Sequence, residues 1–219
     1  MPHKPTFSIV TCTWNSAATL GDTLASVASQ SHAGIEHIFV DGGSTDSTLD
    51  MIDAYSSPKC VLRDVQGGIS RAMNEGIAHA TGEFIAHLHS DDYYYSDDVL
   101  AAVADCFAST KADWLFGRIQ VLRDGALQAP QRSYPFSYRS LAAGKAFIPH
   151  PAVFVRRSAF ARVGVFDERL KYAMDIDLWL RLGAVARPAT LERTLAVFRD
   201  HAGSVSSANK VRARQEEFG

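Results

Sequence analysis

The sequence predicts an α/β protein built on a central sheet with a parallel half. Short apolar, β-branched runs alternate with segments of helical periodicity from Phe7 to Leu88, in the order strand, helix, strand, helix, strand, helix, strand. That alternation is the signature of βαβ units. The fourth run, Phe84 to Leu88, passes directly into Ser90-Asp91-Asp92. Two carboxylates therefore stand at the carboxyl end of a buried strand, where open α/β sheets take their ligands. A length of 219 residues, with 47% hydrophobic and 21% charged residues, suits one substantial domain with its own core.

Phe7 to Cys12 is β-branched and apolar and reads as the first strand. Thr13-Trp14-Asn15-Ser16 breaks it, and Leu20, Leu24, Val27 and Ala28 then recur at helical spacing. Ile35 to Val40 is the second strand. Asp41-Gly-Gly-Ser-Thr-Asp46 ends it and leads into a helix closing near Tyr55. Cys60 to Arg63 is a short third strand. After a flexible turn at Gln66-Gly67-Gly68, the residues Ile69, Ala72, Met73, Ile77 and Ala80 mark an amphipathic helix that stops at Gly82. Beyond the fourth strand, Ser96 is the expected N-cap of a helix with Val99, Leu100, Val103 and Phe107 on one face.

The second half has a different rhythm. Trp114 to Gly117 and Ile119 to Leu122 read as two strands, followed by a hairpin turn at Asp124-Gly125. Gln128 to Arg139 reads as a loop, Ala152 to Val155 as a strand, and Ser158 to Val163 as a short helix ended by Gly164. Asp175 to Leu182 is a helix, apolar nearly all round and so expected to be well buried. Leu195 to Phe198 is a last strand, and Asn209 to Gly219 is polar and expected to fray. No repeat or linker divides the chain.

Composition narrows the function classes. A net charge of -2 gives no electrostatic reason to expect nucleic acid. No apolar run is long enough to span a bilayer, and Met-Pro-His-Lys-Pro lacks the apolar core of a signal peptide. Cys12, Cys60 and Cys106 are too few and too scattered for a disulfide framework or a zinc pattern, which favours a reducing compartment.

The residues that carry chemistry cluster at the strand ends. Asp91 and Asp92 are adjacent like charges, tolerated best beside a cation or a strong donor; the plainer reading makes them turn formers before a helix. Asp41, beside two glycines, suits a carboxylate that accepts hydrogen bonds from a nucleoside, against a plain turn capped by Ser44 or Thr45. Asp46 fits a capping role. The loop has neither a Walker Gly-Lys-Ser/Thr nor the Rossmann fingerprint. Arg71, early in the helix after Gly68, is placed to neutralise a phosphate or else is a solvated surface arginine. His87 and His89 point to one face of their strand. With the aspartates they resemble a metal cluster, but packed histidines are commoner, and aspartate with phosphate oxygens suits magnesium or manganese better than zinc. Asp177 and Arg181 are four apart, as in a structural ion pair. Asp175 at a helix start is either a cap or a general base.

Taken together, the motifs resemble family 2 glycosyltransferases of the GT-A fold, above all the short bacterial enzymes that build O-antigen, capsule or exopolysaccharide. The matching blocks are Ser8-Ile-Val-Thr-Cys-Thr-Trp-Asn15, Phe39-Val-Asp-Gly-Gly-Ser-Thr-Asp-Ser-Thr48 and Gly68-Ile-Ser-Arg-Ala-Met-Asn-Glu-Gly76. They continue through Ala80-Thr-Gly-Glu-Phe84, Leu88-His-Ser-Asp-Asp92, His150-Pro-Ala-Val-Phe-Val-Arg-Arg-Ser158, Gly164-Val-Phe-Asp167 and Ala173-Met-Asp-Ile-Asp-Leu-Trp-Leu-Arg181. Ser90 stands where the family's Asp-x-Asp motif has its first Asp, His89 where Asn is frequent, Met174 where Glu is common, and Arg71 where many relatives have Asp.

The resemblance implies one GT-A domain over residues 1–219, with a mixed central sheet and helices on both faces. A nucleotide-sugar half would span about 7–125 and an acceptor half about 126–206. It implies an inverting, metal-dependent hexosyltransferase that moves a sugar from a nucleotide-diphosphate donor, a UDP-sugar, to a saccharide or lipid-linked saccharide in cell-surface polysaccharide synthesis. Thr11, Thr13, Asp41, Arg71 and Asp91 would hold the nucleotide, Asp92 a Mn2+ or Mg2+ ion, and Asp175 would be the catalytic base. His150 and Arg156 would serve acceptor or donor sugar. The expected place of work is the cytoplasm, in peripheral contact with the inner face of the cell membrane, with no nucleic-acid partner. Two other readings are a non-catalytic sugar-nucleotide-binding protein of the same fold and a nucleotidyltransferase. The second usually needs a basic Gly-rich loop, and Thr11 to Ser16 has no Lys or Arg.

Overall fold

The computed structural model describes residues 6–130, 135–201 and 216. Its first half alternates β1 (Phe7–Thr13), α1 (Leu20–Ala28), β2 (Ile35–Asp41), α2 (Thr48–Ala54), β3 (Lys59–Leu62), α3 (Ile69–His79) and β4 (Phe84–His87). A two-residue strand β5 (Tyr93–Tyr94), α4 (Val99–Thr110), β6 (Trp114–Arg123) and β7 (Ala126–Leu127) follow. The rest comprises α5 (Tyr138–Ala142), β8 (Val153–Arg156), α6 (Arg157–Val163), α7 (Met174–Val185) and β9 (Ala189–Asp200). The strands form one sheet in the order β3-β2-β1-β4-β8-β6-β9-β5, with β7 paired to β6. The run β3-β2-β1-β4 is parallel. β8 is antiparallel to both β4 and β6, while β6 and β9 run parallel.

The interior strands are buried on both faces, which is why they read as continuous apolar runs. Along β1, Val10 and Cys12 face a core shared with α3, α6 and α7, whereas Phe7 and Ile9 face a second core shared with α4. A smaller cluster of Leu20, Leu24, Phe39 and Ile52 packs α1 and α2 on the sheet edge. On the first face Trp114 lies parallel to Trp179, with ring centres 6.1 Å apart, and its indole N–H donates to Ala186 O at 2.8 Å. Among the described residues no helix is long and apolar enough to cross a membrane.

Several sequence expectations are corrected. Asp98, not Ser96, is the N-cap of α4, and the Ser96 hydroxyl donates to the Asp98 carboxylate at 2.7 Å. The two strands expected around Gly117 are one, because an irregular register between Phe116 and Ile119 lets β6 continue through the glycine. A Cβ at Gly117 would lie 2.5 Å from the Leu195 side chain, so the close approach of β9 explains the residue. Helix α5 occupies part of the expected loop, capped by Ser137. Ala152 belongs to a 3-10 turn, His150–Ala152, rather than to β8. Helix α7 buries one face through Met174, Leu178, Trp179 and Leu182, not its whole circumference. Of the polar segment expected to fray, only Glu216 lies within the described residues.

Gly76 gives a packing test. A Cβ there would stand 2.3 Å from Val10 Cγ1, where α3 crosses β1. Gly76→Ala in an exposed helix would stabilise by about 1 kcal/mol. Here it is expected to destabilise by roughly 1–3 kcal/mol through overpacking. Urea unfolding of Gly76→Ala, Val10→Ala and the double variant checks this: the glycine change should cost much less once Val10 is trimmed.

Candidate active site

A cleft of about 630 Å3 opens at the carboxyl ends of β1, β2 and β4, the end to which the parallel strands deliver their loops. Its rim on one side is two loops bound together. Asn15 N–H donates to Ser44 Oγ at 2.8 Å, Thr45 N–H to Asn15 Oδ1 at 2.9 Å, and Ser16 N–H to Thr48 Oγ1 at 2.7 Å. Asp46 serves the rim as expected, accepting from Thr48 N–H and Ala17 N–H.

Asp41 organises this rim from beneath. It is fully buried. One carboxylate oxygen accepts from Thr13 Oγ1 at 2.8 Å and Ser44 Oγ at 2.6 Å; the other accepts from the N–H groups of Gly43 and Ser44 at 2.9 and 2.8 Å. Burial works to raise its pKa, but the bonds from Ser44, Thr13 and Gly43 outweigh it and hold the carboxyl below its usual range. Gly43 at φ 93° turns the chain so that these N–H groups converge. The flanking residues Thr13, Val40 and Gly42 line the cleft. Thr11 is buried one layer deeper, where its hydroxyl donates to Leu88 O at 2.6 Å and meets His37 Nε2 at 2.9 Å.

The acidic pair divides into an outward and an inward member. Asp91 lines the cleft, and its carboxylate lies 3.1 Å from His201 Nε2. Asp92 is 2% exposed; its carboxylate accepts Arg199 N–H at 3.0 Å, and its carbonyl accepts Thr23 Oγ1 at 2.7 Å. Burial pushes the Asp92 carboxyl well above the usual carboxylate range, Asp91 adds to the rise, and the Arg199 N–H and guanidinium oppose it. Arg199 also donates from Nε to Asp91 O at 3.1 Å and pairs with Asp22. Strand β9 thus fixes the acidic turn through a contact 107 residues distant in sequence. Ser90 joins the rim, its hydroxyl 2.8 Å from Ser16 Oγ.

His87, His89 and His150 form the inner wall. The His89 and His150 rings stack with centres 5.0 Å apart and 9° between planes, and His87 lies 5.7 Å from His150. All three are held below the ordinary histidine range, first of all by burial, His87 at about 3. Burial thus favours the neutral imidazole in all three. Among the described residues His89 Nδ1 and His150 Nε2 are buried without a protein hydrogen-bond partner. Both residues line the cleft.

Asp175 also lines the cleft, at the first turn of α7. Its Oδ1 accepts Ile176 N–H at 2.8 Å. Asp177 pairs with Arg181 at 2.6 Å, as the spacing predicts. Thr13, Asp91, Asp92, His150 and Asp175 are thus brought to one cleft. Four candidates are not: Thr11 and Asp41 lie behind its wall, and Arg71 and Arg156 lie elsewhere. Arg71 is exposed and folds back over Gly67, its Cδ 2.7 Å from where a Cβ on that glycine would stand. Arg156 pairs with Glu83 and lies over the Phe84 ring. Strand β8 is antiparallel to β4, with Arg156 opposite Phe84, so the residue is carried to the far end of the sheet.

The sequence reading missed four residues at or near the cleft. Trp14 is 70% exposed at its edge, and only its odd placement in a polar loop hinted at a role. His201, Arg199 and Glu216 lie far along the chain, and no local pattern marks them.

The donor set tests the fit of a divalent cation. Among the described residues no group of three His, Cys, Asp or Glu side chains is arranged to hold a metal. Asp91 and Asp92 supply two carboxylates, fewer protein ligands than a closed zinc cage. They fit a cation that a ligand's phosphate oxygens complete, the usual arrangement for magnesium.

Comparison with known proteins shows the family and the fold. The model of "Glycosyl transferase family 2" matches residues 8–164. An uncharacterized glycosyltransferase of Mycobacterium tuberculosis is 33% identical over 203 residues, covering 90% of this chain and 76% of the relative. A PGL/p-HBAD biosynthesis glycosyltransferase of Mycobacterium bovis is 32% identical over 204 residues, with 88% and 75% covered. Among solved structures, S. aureus TarS 1-349 in complex with UDP-GlcNAc superposes with a TM-score of 0.78 at 22% identity, over 96% of this chain and 64% of that one. The mannosyltransferase PcManGT from Pyrobaculum calidifontis, in complex with GDP-Man and Mn2+, gives 0.75 at 18% identity, over 99% and 64%. This chain spans 64% of each of those two solved chains, and at such identities the likeness establishes the GT-A fold.

Proposed function

Because the chain belongs to glycosyl transferase family 2, we propose that it transfers a sugar, with inversion, from a UDP-sugar to a saccharide or lipid-linked saccharide acceptor. The observation that carries this reading is the convergence of Asp91, Asp92, the His89–His150 wall and Asp175 on one cleft at the carboxyl end of a parallel sheet. A UDP-sugar is favoured by the TarS complex with UDP-GlcNAc, and a guanosine donor is the alternative suggested by the PcManGT complex. The PGL/p-HBAD relatives favour an acceptor from cell-envelope chemistry. Work at the cytoplasmic face of the membrane, in peripheral contact, is part of the same proposal.

The base lies against Thr13, Val40 and Gly42, with Trp14 at its edge; Asp41 and Thr11 shape that wall from behind. Arg71, folded over Gly67 outside the lining, would meet phosphate only by swinging away from that glycine. Asp91 and Asp92 would hold the Mn2+ or Mg2+, and that ion would supply positive charge for the donor's diphosphate. The unpartnered nitrogens of His89 and His150 offer hydrogen bonds to sugar hydroxyls.

Asp175 accepts the proton of the acceptor hydroxyl. The freed oxygen bonds to the donor's anomeric carbon from the face opposite the nucleotide. The bond from that carbon to the terminal phosphate oxygen breaks, and its electron pair leaves with the diphosphate. One displacement of this kind inverts the anomeric centre.

Calorimetric titration of UDP, GDP and dTDP, each with manganese and with chelator, tests the site. One nucleotide should bind only with the metal, and Asp92→Asn should weaken it by about tenfold or more. Failure of all three to bind under either condition would overturn the assignment of the acidic pair. Metal-dependent binding without turnover of any sugar nucleotide would favour the non-catalytic reading.

A further inference from the structure

We propose that Glu216 is a positioning residue for Asp175, holding the segment from which α7 starts; this rests on the proposed role of Asp175 as base. Glu216 Oε2 accepts the N–H groups of Tyr172 at 2.6 Å and Ala173 at 2.9 Å, and both its oxygens accept Lys171 N–H, at 2.9 and 3.1 Å. Three consecutive backbone N–H groups aimed at one carboxylate form an anion nest.

Its location gives the contact a function. Ala173 is the N-cap of α7 and has no side-chain cap of its own. The first orphan donors of a helix need a partner, and the positive end of the helix dipole favours an anion there. Glu216 supplies both from 43 residues further along the chain. Two residues after the nest stands Asp175, and within it Tyr172 also lines the cleft.

The segment before the nest is tied separately. Asn74 donates to Phe166 O at 2.9 Å and accepts Phe166 N–H at 2.9 Å, and Ser70 Oγ donates to Leu170 O at 3.1 Å. Helix α3 therefore fixes residues 166–170, and Glu216 fixes 171–173. Burial works against the charged form of Glu216, but the three N–H groups and Lys171 outweigh it and keep the carboxyl below its usual range. A carboxylate, rather than a neutral group, is what the nest selects.

A base displaced by about 1 Å can cost roughly a hundredfold in rate, so an anchor two residues away sets the reaction geometry without touching substrate. The test is made on the full chain with Glu216→Ala, Glu216→Asp and Asp175→Asn. Amide exchange at 171–173 and the carbon-13 signal of the Asp175 carboxyl are read in each. Glu216→Ala should speed exchange of the three amides by about tenfold or more and shift the Asp175 signal and its titration. Added formate, which places a carboxylate back in the nest, should reverse both changes, and Glu216→Asp should restore part of them.

Exchange that quickens while the Asp175 signal stays put would reduce Glu216 to a structural cap and overturn the proposal. Unchanged exchange would overturn it outright. A Glu216→Ala protein too unstable to measure is replaced by Glu216→Asp, for which the same two readouts decide. Turnover retained by Asp175→Asn would sink the base assignment alone, an outcome separable from the exchange result.

Discussion

Asp175→Asn should lower turnover by roughly 10²- to 10⁴-fold, the range over which a positioned general base acts, while leaving nucleotide affinity nearly unchanged. The substitution is close to isosteric, and the amide oxygen can still accept Ile176 N–H, which the carboxylate accepts at 2.8 Å. What it removes is the ability to take a proton. The residue lines the cleft from α7, a different element from the acidic turn that carries Asp91 and Asp92. Binding and chemistry should therefore separate: calorimetry with UDP and manganese should match the native protein, and release of UDP from a panel of UDP-sugars should not. Turnover within tenfold of the native value would show that another group takes the proton.

Acid should destabilise the fold steeply, starting below pH 6.5. His37 is fully buried against Phe39 and Tyr55, and burial lowers its pKa from 6.5 to about 3. His87 is lowered to about 3 as well, first by burial and then by His89, with a backbone bond to Met73 opposing. Both are neutral in the folded state and charged once the chain unfolds at acidic pH. The unfolded chain therefore binds more protons between these limits, and stability falls as pH falls. Each histidine contributes a slope of roughly 1.4 kcal/mol per pH unit, present from the unfolded pKa near 6.5 down to the folded one. Unfolding in urea at pH 7, 6 and 5 measures the sum. His89 and His150, lowered by burial in the same way, add to that sum, so His37→Gln, which cannot titrate, should remove roughly a quarter of the slope, at a fixed cost from weaker packing. An unaltered slope in that variant would mean that His37 is not held neutral.

Both predictions combine local sequence with distant contacts, and the division between the two follows a physical rule. The first seven elements were legible because strand and helix periodicity are local and the parallel strands are buried on both faces. The acidic turn at 90–92, the Asp41 loop and the Asp175 helix start were legible as motifs for the same reason. Their chemical states were not. Asp41 could be placed at a strand end from sequence, but only the folded rim shows its four hydrogen bonds returned to the chain itself. Asp91 and Asp92 are identical residues in neighbouring positions, and the return of β9 decides which of them faces His201 and which is buried under Arg199.

Arg156 shows the same limit in reverse. The family resemblance placed it in the expected acceptor half, yet the antiparallel course of β8 takes it to the opposite end of the sheet. Gly117 looked like a break between strands and instead admits β9 at close range. By itself, then, the sequence determined the α/β class, the order of the parallel strands' elements and the residue types available at their carboxyl ends, because each depends on neighbours within a few residues. Only the tertiary structure decided which carboxylates are buried, which histidines stack, and that Glu216 reaches the start of α7. Desolvation and hydrogen bonding act through space, and their partners here lie tens of residues apart along the chain.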